Sequence, residues 1–252
     1  MRPLLLALVL LPWLAASAPA EADDPAQSGA NAIGKVLATE GKVSATLGSD
    51  TRTVERGEAV YKGDWLETDR SSRAKVLLND DTELVVGPAS RLHLDEFVYN
   101  DNSNKGKVLI EMGVGLLRFT SGKLEPESYE VQTPVASIGV RGTIFDTLVA
   151  AVTYVTTVIL REGNVVIKTF GGSQTVKKKD HASSAESSTD KPEPQRKVTD
   201  EEDDLSDPLK KPFKDELPRT TKRPRIPDAV KRPPVNPSHS RPGPSNRPSN
   251  RY

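Results

Sequence analysis

The apolar residues between positions 43 and 175 occur in short runs separated by turn residues, and no long segment repeats at the 3.6-residue period of a helix. In the run 91–97, Leu92 and Leu94 alternate with polar residues, which is typical of a half-buried strand. The run 154–160 is almost entirely Val, Thr, Ile and Leu, residues that favour strands. The pattern predicts an all-β fold. We expect a single compact domain of many short strands, arranged either as a β-sandwich or as a rolled, solenoid-like stack.

Charge and proline divide the chain into a folded part and a tail. The 252 residues include 35 basic and 35 acidic side chains, so the net charge is uninformative. Residues 33–176 hold 16 Lys/Arg, 19 Asp/Glu and 3 Pro, whereas residues 177–252 hold 18, 13 and 13. A segment so polar and proline-rich buries too little apolar surface to fold. We therefore predict a β domain over residues 33–176 and a disordered tail over residues 177–252.

The predicted tail has two parts of opposite charge. Residues 200–204 form an acidic cluster, and residues 217–252 contain nine Lys/Arg, one acid and nine prolines. The second part is either a solvated linker or a basic arm that is attracted to an anionic surface.

The first 20 residues have the pattern of a cleaved secretory signal peptide. Arg2 precedes an apolar run over residues 4–14, and Ala18-Pro19-Ala20 is an Ala-x-Ala cleavage site. We expect cleavage after Ala20 rather than after Ala18, followed by a polar linker over residues 21–32. The apolar run is shorter than the roughly 20 residues that span a bilayer. The mature protein is therefore predicted to be periplasmic or secreted, without a membrane span.

The side chains that usually carry catalysis or hold metals do not occur in the expected patterns. There is no Gly-x-Ser-x-Gly element, no cysteine, and no metal-binding spacing among His93, His181 and His239. The carboxylate pairs 80–81 and 95–96 were considered for acid/base work or calcium. Adjacent strand residues point to opposite faces, so such pairs do not converge. We predict no catalytic residue, no metal site and no cofactor; the protein is not expected to be an enzyme.

The segment Thr133–Phe145 interrupts a β-type run with a proline, two glycines and an arginine. Pro134 cannot donate a ladder hydrogen bond, which places it at a strand start or edge. Gly139 and Gly142 flank Arg141, which suggests a bulge or tight bend. The Arg141 guanidinium either recognises an anionic ligand or partner carboxylate, or is a structural group paired with an acid such as Asp64 or Asp146. We favour the structural interpretation.

Two further places were considered as contact surfaces. The loop Asn100–Gly106 is rich in turn residues, and its Asn102, Asn104 and Lys105 are candidate binding residues together with Arg141. Tyr61 and Trp65 would stack on a sugar if exposed and would fill the core if buried; we expect the core.

Several motifs in this order resemble the FecR-type extracytoplasmic domain over roughly residues 33–175. They are the Gly63-Asp64…Thr68 element, the Thr133–Phe145 segment and the closing Glu162-Gly163-x-Val165. The positions that match the family motifs are Gly63, Asp64, Thr68, Thr133, Pro134, Gly139, Arg141, Gly142, Thr143, Phe145 and Gly163. The well-known signalling members relay a signal to a sigma factor. This chain is expected to be a stand-alone secreted form, because it lacks their cytoplasmic segment and membrane span.

The resemblance implies a non-enzymatic binding or protein-interaction module, with a role in envelope signalling. The alternative is a cell-envelope scaffold that is tethered to an anionic polymer through its basic tail. The expected partner is accordingly another envelope protein or an anionic envelope polymer, and not a nucleic acid. The oligomeric state is left open.

Overall fold

A computed structural model describes residues 32–101 and 103–217, apart from the side chain of Arg141. Four predicted or named parts lie outside the described residues: the signal peptide, nearly all of the linker, Asn102 and the part of the tail from residue 218 onward. Within them, fifteen strands form one continuously hydrogen-bonded sheet. The strands are β1 (Ala32–Glu40), β2 (Val43–Leu47), β3 (Asp50–Thr53), β4 (Ala59–Tyr61), β5 (Trp65–Thr68), β6 (Arg73–Leu78), β7 (Glu83–Val86), β8 (Arg91–Asn100), β9 (Lys105–Thr120), β10 (Tyr129–Gln132), β11 (Ser137–Val149), β12 (Thr156–Thr169), β13 (Gly172–Val176), β14 (His181–Ala185) and β15 (Arg196–Lys197). The all-β prediction is confirmed.

Helical structure is sparse in the same part of the chain. It consists of a 3-10 turn at Pro126–Ser128, helix α1 (Asp200–Leu205) and helix α2 (Asp207–Lys210). Among the described residues, no helix has both the length and the apolar character needed to cross a bilayer.

The three longest strands, β9, β11 and β12, each take part in two layers of the sheet. The first half of β9 pairs with β8 and β10, and its second half pairs with β7 and β11. Strand β11 pairs with β10 through residues 137–139 and with β9 through residues 144–149. Strand β12 pairs with β14 through residues 156–160 and with β13 through residues 165–169. The first layer therefore runs β3-β2-β5-β8-β9-β10-β11-β12-β13, and the second runs β4-β1-β6-β7-β9-β11-β12-β14-β15.

One hydrophobic core lies between the layers. It joins side chains such as Leu92 and Val131 of the first layer to Leu84 and Val158 of the second. Across the core, the Phe119 ring meets the Tyr129 ring edge-on at 5.6 Å and stacks on Phe145 at 5.3 Å. The described strands thus form one continuous sheet that folds over this core.

The bend between the layers is formed by facing glycines of β11 and β12. Arg141 pairs with Asn164 and Ile144 with Glu162, so Gly142 and Thr143 together oppose Gly163, which is a β-bulge. Gly142 has φ +60° and Gly163 φ +81°, and a Cβ on Gly163 would overlap the carbonyl oxygen of Gly142. The predicted bend is confirmed at Gly142. Gly139 instead lies in regular pairing with β10 and β12.

The folded unit extends well beyond the predicted boundary at residue 176. Strand β14 pairs with β12, β15 pairs with β14, and residues 196–217 (the C-terminal segment) lie against the second layer. The boundary is therefore corrected to Leu217, whose amide donates to the carbonyl of Leu37 at 2.9 Å. The acidic cluster is not a disordered stretch: it forms α1, with a capping box between Thr199 and Glu202.

The C-terminal segment is held by cations of the sheet. Arg73 binds Glu40 with two hydrogen bonds, donates to the carbonyls of Pro208, Lys211 and Pro212, and lies 4.1 Å from the centre of the Phe213 ring. Lys75 contacts Glu216 at 2.7 Å, and Arg161 contacts Asp203 and Ser206 at 3.0 and 2.8 Å. Leu209 and Phe213 pack on Ala38 and Val85. Apolar burial and ion pairs therefore both attach residues 196–217 to the sheet, although most of these residues are polar.

The first prediction concerns the facing glycines. Gly163→Ala places a methyl group against the Gly142 carbonyl and strains a left-handed backbone, so we expect the free energy of unfolding to fall by about 2 kcal/mol or more. Gly139→Ala is the matched control, because its nearest atom is the Val166 carbonyl oxygen at 4.0 Å and its φ is not positive. Urea unfolding of both variants is the measurement. Equal stability of the two would contradict this account of the bend.

The second prediction concerns pH. Hydrogen bonds from Arg73, Arg196 and Lys210 lower the pKa of Glu40, Glu202 and Asp203, respectively. A lowered folded-state pKa adds stability above the ordinary carboxyl value of about 4, and that stability is lost as the pH falls from there through the lowered folded-state pKa. We therefore expect residues 196–217 to lose amide protection between about pH 5 and pH 3 while β12 stays protected. Hydrogen exchange by mass spectrometry, corrected for intrinsic rates, tests this. If residues 196–217 and β12 lost amide protection over the same pH range, the attachment of the C-terminal segment would not depend on these charges.

Candidate recognition surface

A groove of about 340 Å³ opens at the end of the sandwich where the two layers meet. We call it the motif groove. Residues 132–137, residues 168–170 and Ser188 line it. One wall is the turn between β10 and β11, which is the start of the Thr133–Phe145 segment; the other is the turn between β12 and β13.

The first wall is fixed by the hydroxyl of Thr133. This hydroxyl donates to the carbonyl of Ala136 at 3.1 Å and accepts from the Ala136 amide at 3.0 Å. Pro134 lies inside this turn and not at a strand start or edge as predicted; its missing N–H costs no ladder bond there. Thr156, which begins β12 in the second layer, donates to Thr133 at 2.9 Å. The turn is therefore tied to both layers.

The second wall presents an exposed aromatic ring. Phe170 is 92% exposed, while its amide donates to the carbonyl of Ser188 at 2.7 Å. Thr169 donates its hydroxyl to the carbonyl of Asp190 at 2.5 Å. The loop after β14 thus fixes the backbone of this turn and leaves the ring in solvent.

The chemistry of the groove suits binding. Pro134, Val135, Ala136 and Phe170 supply apolar surface, and Lys168 is the one ionisable group among the lining residues. The lining set has no carboxylate, imidazole or thiol to act as a general acid, base or nucleophile. A lining that is mainly apolar with a few polar groups is typical of a site that takes up apolar side chains of a ligand.

Most of the matched motif residues build the fold. The carboxylate of Asp64 is fully buried and accepts two hydrogen bonds from Arg52, at 2.9 and 2.6 Å, and one from the Tyr61 amide at 2.8 Å. It closes the turn that contains Gly63, whose φ is +89°. Thr68 donates to the carbonyl of Gly87 at 2.6 Å and so ties β5 to the turn before β8.

The downstream motif residues form the bend between the layers. Thr143 donates to the carbonyl of Asn164 at 2.7 Å and its amide donates to Ser121 at 2.9 Å, which fixes the bulge opposite Gly163. Phe145 is fully buried in the core. These residues position the strands whose ends form the groove.

Of the four candidate binding residues, the two that the structure describes fully, Asn104 and Lys105, do not line the groove. Asn104 and Lys105 are exposed in the β8–β9 turn, where Asn104 has φ +51°. Asn102 and the side chain of Arg141 lie outside the described part of the chain. The acids named as partners for Arg141 bind other arginines: Asp64 binds Arg52, and Asp146 binds Arg118 and Arg161.

The expectation that Tyr61 and Trp65 fill the core is wrong. Both are half-buried, and Arg52 lies 5.2 Å from the centre of the Tyr61 ring. Trp65 stacks on His93 with ring centres 4.5 Å apart, and the Arg91 guanidinium lies 4.2 Å from the indole. Strand alternation carries the signal: Leu66 and Thr68 are buried, so Trp65 and Glu67 face outward. The other missed residue is Phe170, an aromatic that directly precedes two glycines.

A buried polar cluster lies at the base of the second layer. Asp80 is fully buried and accepts hydrogen bonds from Thr82 and from the Tyr129 hydroxyl, at 2.6 and 2.9 Å. Burial, and then the charge of Asp80, raise the pKa of Tyr129 above its ordinary value. Tyr129 therefore stays protonated and donates permanently, so the cluster is structural.

No curated protein matches the chain. Two crystal structures, at 1.65 and 2.50 Å, of a provisionally assigned anti-sigma factor from Parabacteroides distasonis ATCC 8503 are similar, with 16% identity and a TM-score of 0.42. The similarity covers 53% of this chain and 59% of theirs, and at this level it carries no argument about function.

The sequence profile of a family described as FecR protein matches residues 64–166. That span begins at the buried Asp64, contains the bulge at Gly142 and Thr143, and ends in β12 just beyond Gly163. The bent strands β9 and β11 and much of β12 therefore lie in the segment that matches the FecR family.

Proposed function

We propose that this protein is a non-enzymatic recognition module that works outside the cytoplasm in envelope signalling, with the motif groove as its contact for a partner protein. The observation that carries the proposal is the placement of an exposed aromatic ring, Phe170, beside the apolar turn at Thr133–Ala136. The FecR match supports a signalling role, since well-known members relay signals across the envelope. The signal-peptide pattern of residues 1–20 supports export.

A protein partner fits the groove better than a small charged ligand. A ring that is 92% exposed is costly in water and gains contact area when a partner covers it. Aromatic side chains beside a pocket are frequent hot spots of protein interfaces. Lys168 at the rim offers one ion pair or hydrogen bond to orient the partner.

The scaffold alternative gives the basic tail the binding role. Residues 217–252 carry nine Lys/Arg and one acid, and such a segment attracts anionic polymers through charge. This attraction weakens strongly with salt, whereas apolar recognition in the groove does not.

The third prediction separates these roles. Mature protein is cross-linked in native cells at low and at about 0.3 M salt, a concentration that screens surface attraction. We expect Phe170→Asp to reduce recovery of the specific partner about tenfold or more, as for an interface hot spot. The matched control is Val152→Asp, because Val152 is 88% exposed but does not line the groove. A form ending at Leu217 retains every contact described above and should bind as the parent does.

The opposite pattern would overturn the proposal. Equal recovery by the Phe170 variant and the parent, together with loss of binding in the form ending at Leu217 or in salt, would assign the function to the basic tail. In that case the β domain would be the scaffold.

A further inference from the structure

A second group of functional side chains lies on the outer face of the first layer, apart from the motif groove. His93 and Asp95 of β8 and Glu111 of β9 each place one potential ligand atom within 4.8 Å of the others. His93 Nδ1 lies 3.1 Å from Glu111 Oε2 and 3.8 Å from Asp95 Oδ1. We propose that these three residues bind a divalent transition-metal ion, with Zn²⁺ and Cu²⁺ as the ions that suit them.

The spacing agrees with a shared ion. Zinc lies about 2.0–2.2 Å from imidazole nitrogen and carboxylate oxygen, so two ligand atoms of one ion are at most about 4.4 Å apart. Both measured separations from His93 are below this limit. The third separation is that between the carboxylate oxygens of Asp95 and Glu111. These side chains are 39% and 43% exposed, so a small rotation can bring the two oxygens within about 4.4 Å of each other.

The strands hold the ligands in place. His93 and Glu111 are direct cross-strand partners. Asp95 follows His93 by two residues, at a register irregularity between β8 and β9. The imidazole is also fixed from β5, because Trp65 is its cross-strand partner and stacks on it with an interplanar angle of 8°. Such a support sets the ring orientation before an ion arrives, which is how positioned ligands gain affinity.

The charges also fit a cation. An imidazole nitrogen beside carboxylate oxygens is a donor set that suits zinc and copper. The ion pairs found for Asp95 and Glu111 in the described residues both run to His93. The neighbouring Arg91 is engaged by Glu67 at 2.9 Å and by Trp65. Three protein ligands leave one coordination position open, which a water molecule or another ligand can occupy.

The fourth prediction uses Trp65 as the reporter. The chain has two tryptophans, Trp13 and Trp65, and mature protein starting at Glu21 retains only Trp65. We expect Cu²⁺ to quench the Trp65 fluorescence saturably at one equivalent, and Zn²⁺ added first to prevent the quenching. The titration is done in chelator-cleared buffer without phosphate, and calorimetry with Zn²⁺ gives the stoichiometry.

The variants decide whether the three residues are the ligands. His93→Gln and Glu111→Gln should each weaken Cu²⁺ and Zn²⁺ binding about tenfold or more, comparable to the loss of even a supporting group around a metal. Glu67→Gln, which changes a residue on the same face, and His181→Gln should leave the affinity for Cu²⁺ and Zn²⁺ unchanged. Melting curves of all variants check that they fold. Quenching that is unsaturable, insensitive to Zn²⁺, or equal in parent and ligand variants would overturn the proposal.

Discussion

The close approach of β11 and β12 at Gly142 and Gly163 is the constraint on which the rest of the structure depends. The two strands cross between the layers together, so their ladder has to bend without losing its pairing. A bulge places two residues opposite one and lets the ladder turn. Only glycine fits there, since a Cβ on Gly163 would meet the opposing carbonyl. Because of this bend, β11 and β12 connect the two layers, and the layers enclose one core between them.

The residues that match the FecR motifs therefore mainly stabilise the fold, and few of them are available to contact a partner. Asp64 closes a turn with Arg52, Thr143 fixes the bulge, and Phe145 fills the core. Thr133 has a double role, because it ties the turn to Thr156 of the other layer and also shapes one wall of the motif groove. Specificity would then come from residues outside the motif, such as Phe170, which can vary without disturbing the bend.

The strands and the bend can be predicted from the sequence, whereas parts of the surface cannot. Alternation of Leu92 and Leu94 correctly indicated a half-buried strand, and glycine beside Arg141 correctly indicated a bulge. Trp65 was misplaced because its size favoured the core, although alternation with Leu66 put it outside. The neighbours that hold it, His93 and Arg91, come from another strand and cannot be inferred from local pattern.

The end of the folded unit was misjudged for a related reason. Residues 196–217 look disordered by composition, since they are acidic, basic and proline-containing. Their order comes from partners far away in sequence: Arg73 gathers three of their carbonyls, and Arg161 joins α1 to the buried Asp146. The local signal available was the capping box from Thr199 to Glu202, which marks a helix start within an otherwise tail-like stretch.

The rolling of one sheet into two layers is tested most directly by a disulfide between Thr133→Cys and Thr156→Cys. The chain has no cysteine, and the two hydroxyl oxygens lie 2.9 Å apart although the residues belong to different layers. Small rotations would bring the sulfur atoms to the bonding distance of about 2.0 Å. We expect an intramolecular disulfide to form spontaneously in the folded double variant, and thiol labelling and intact mass detect it. Two free thiols under oxidising conditions, in a double variant that melts like the parent, would contradict it.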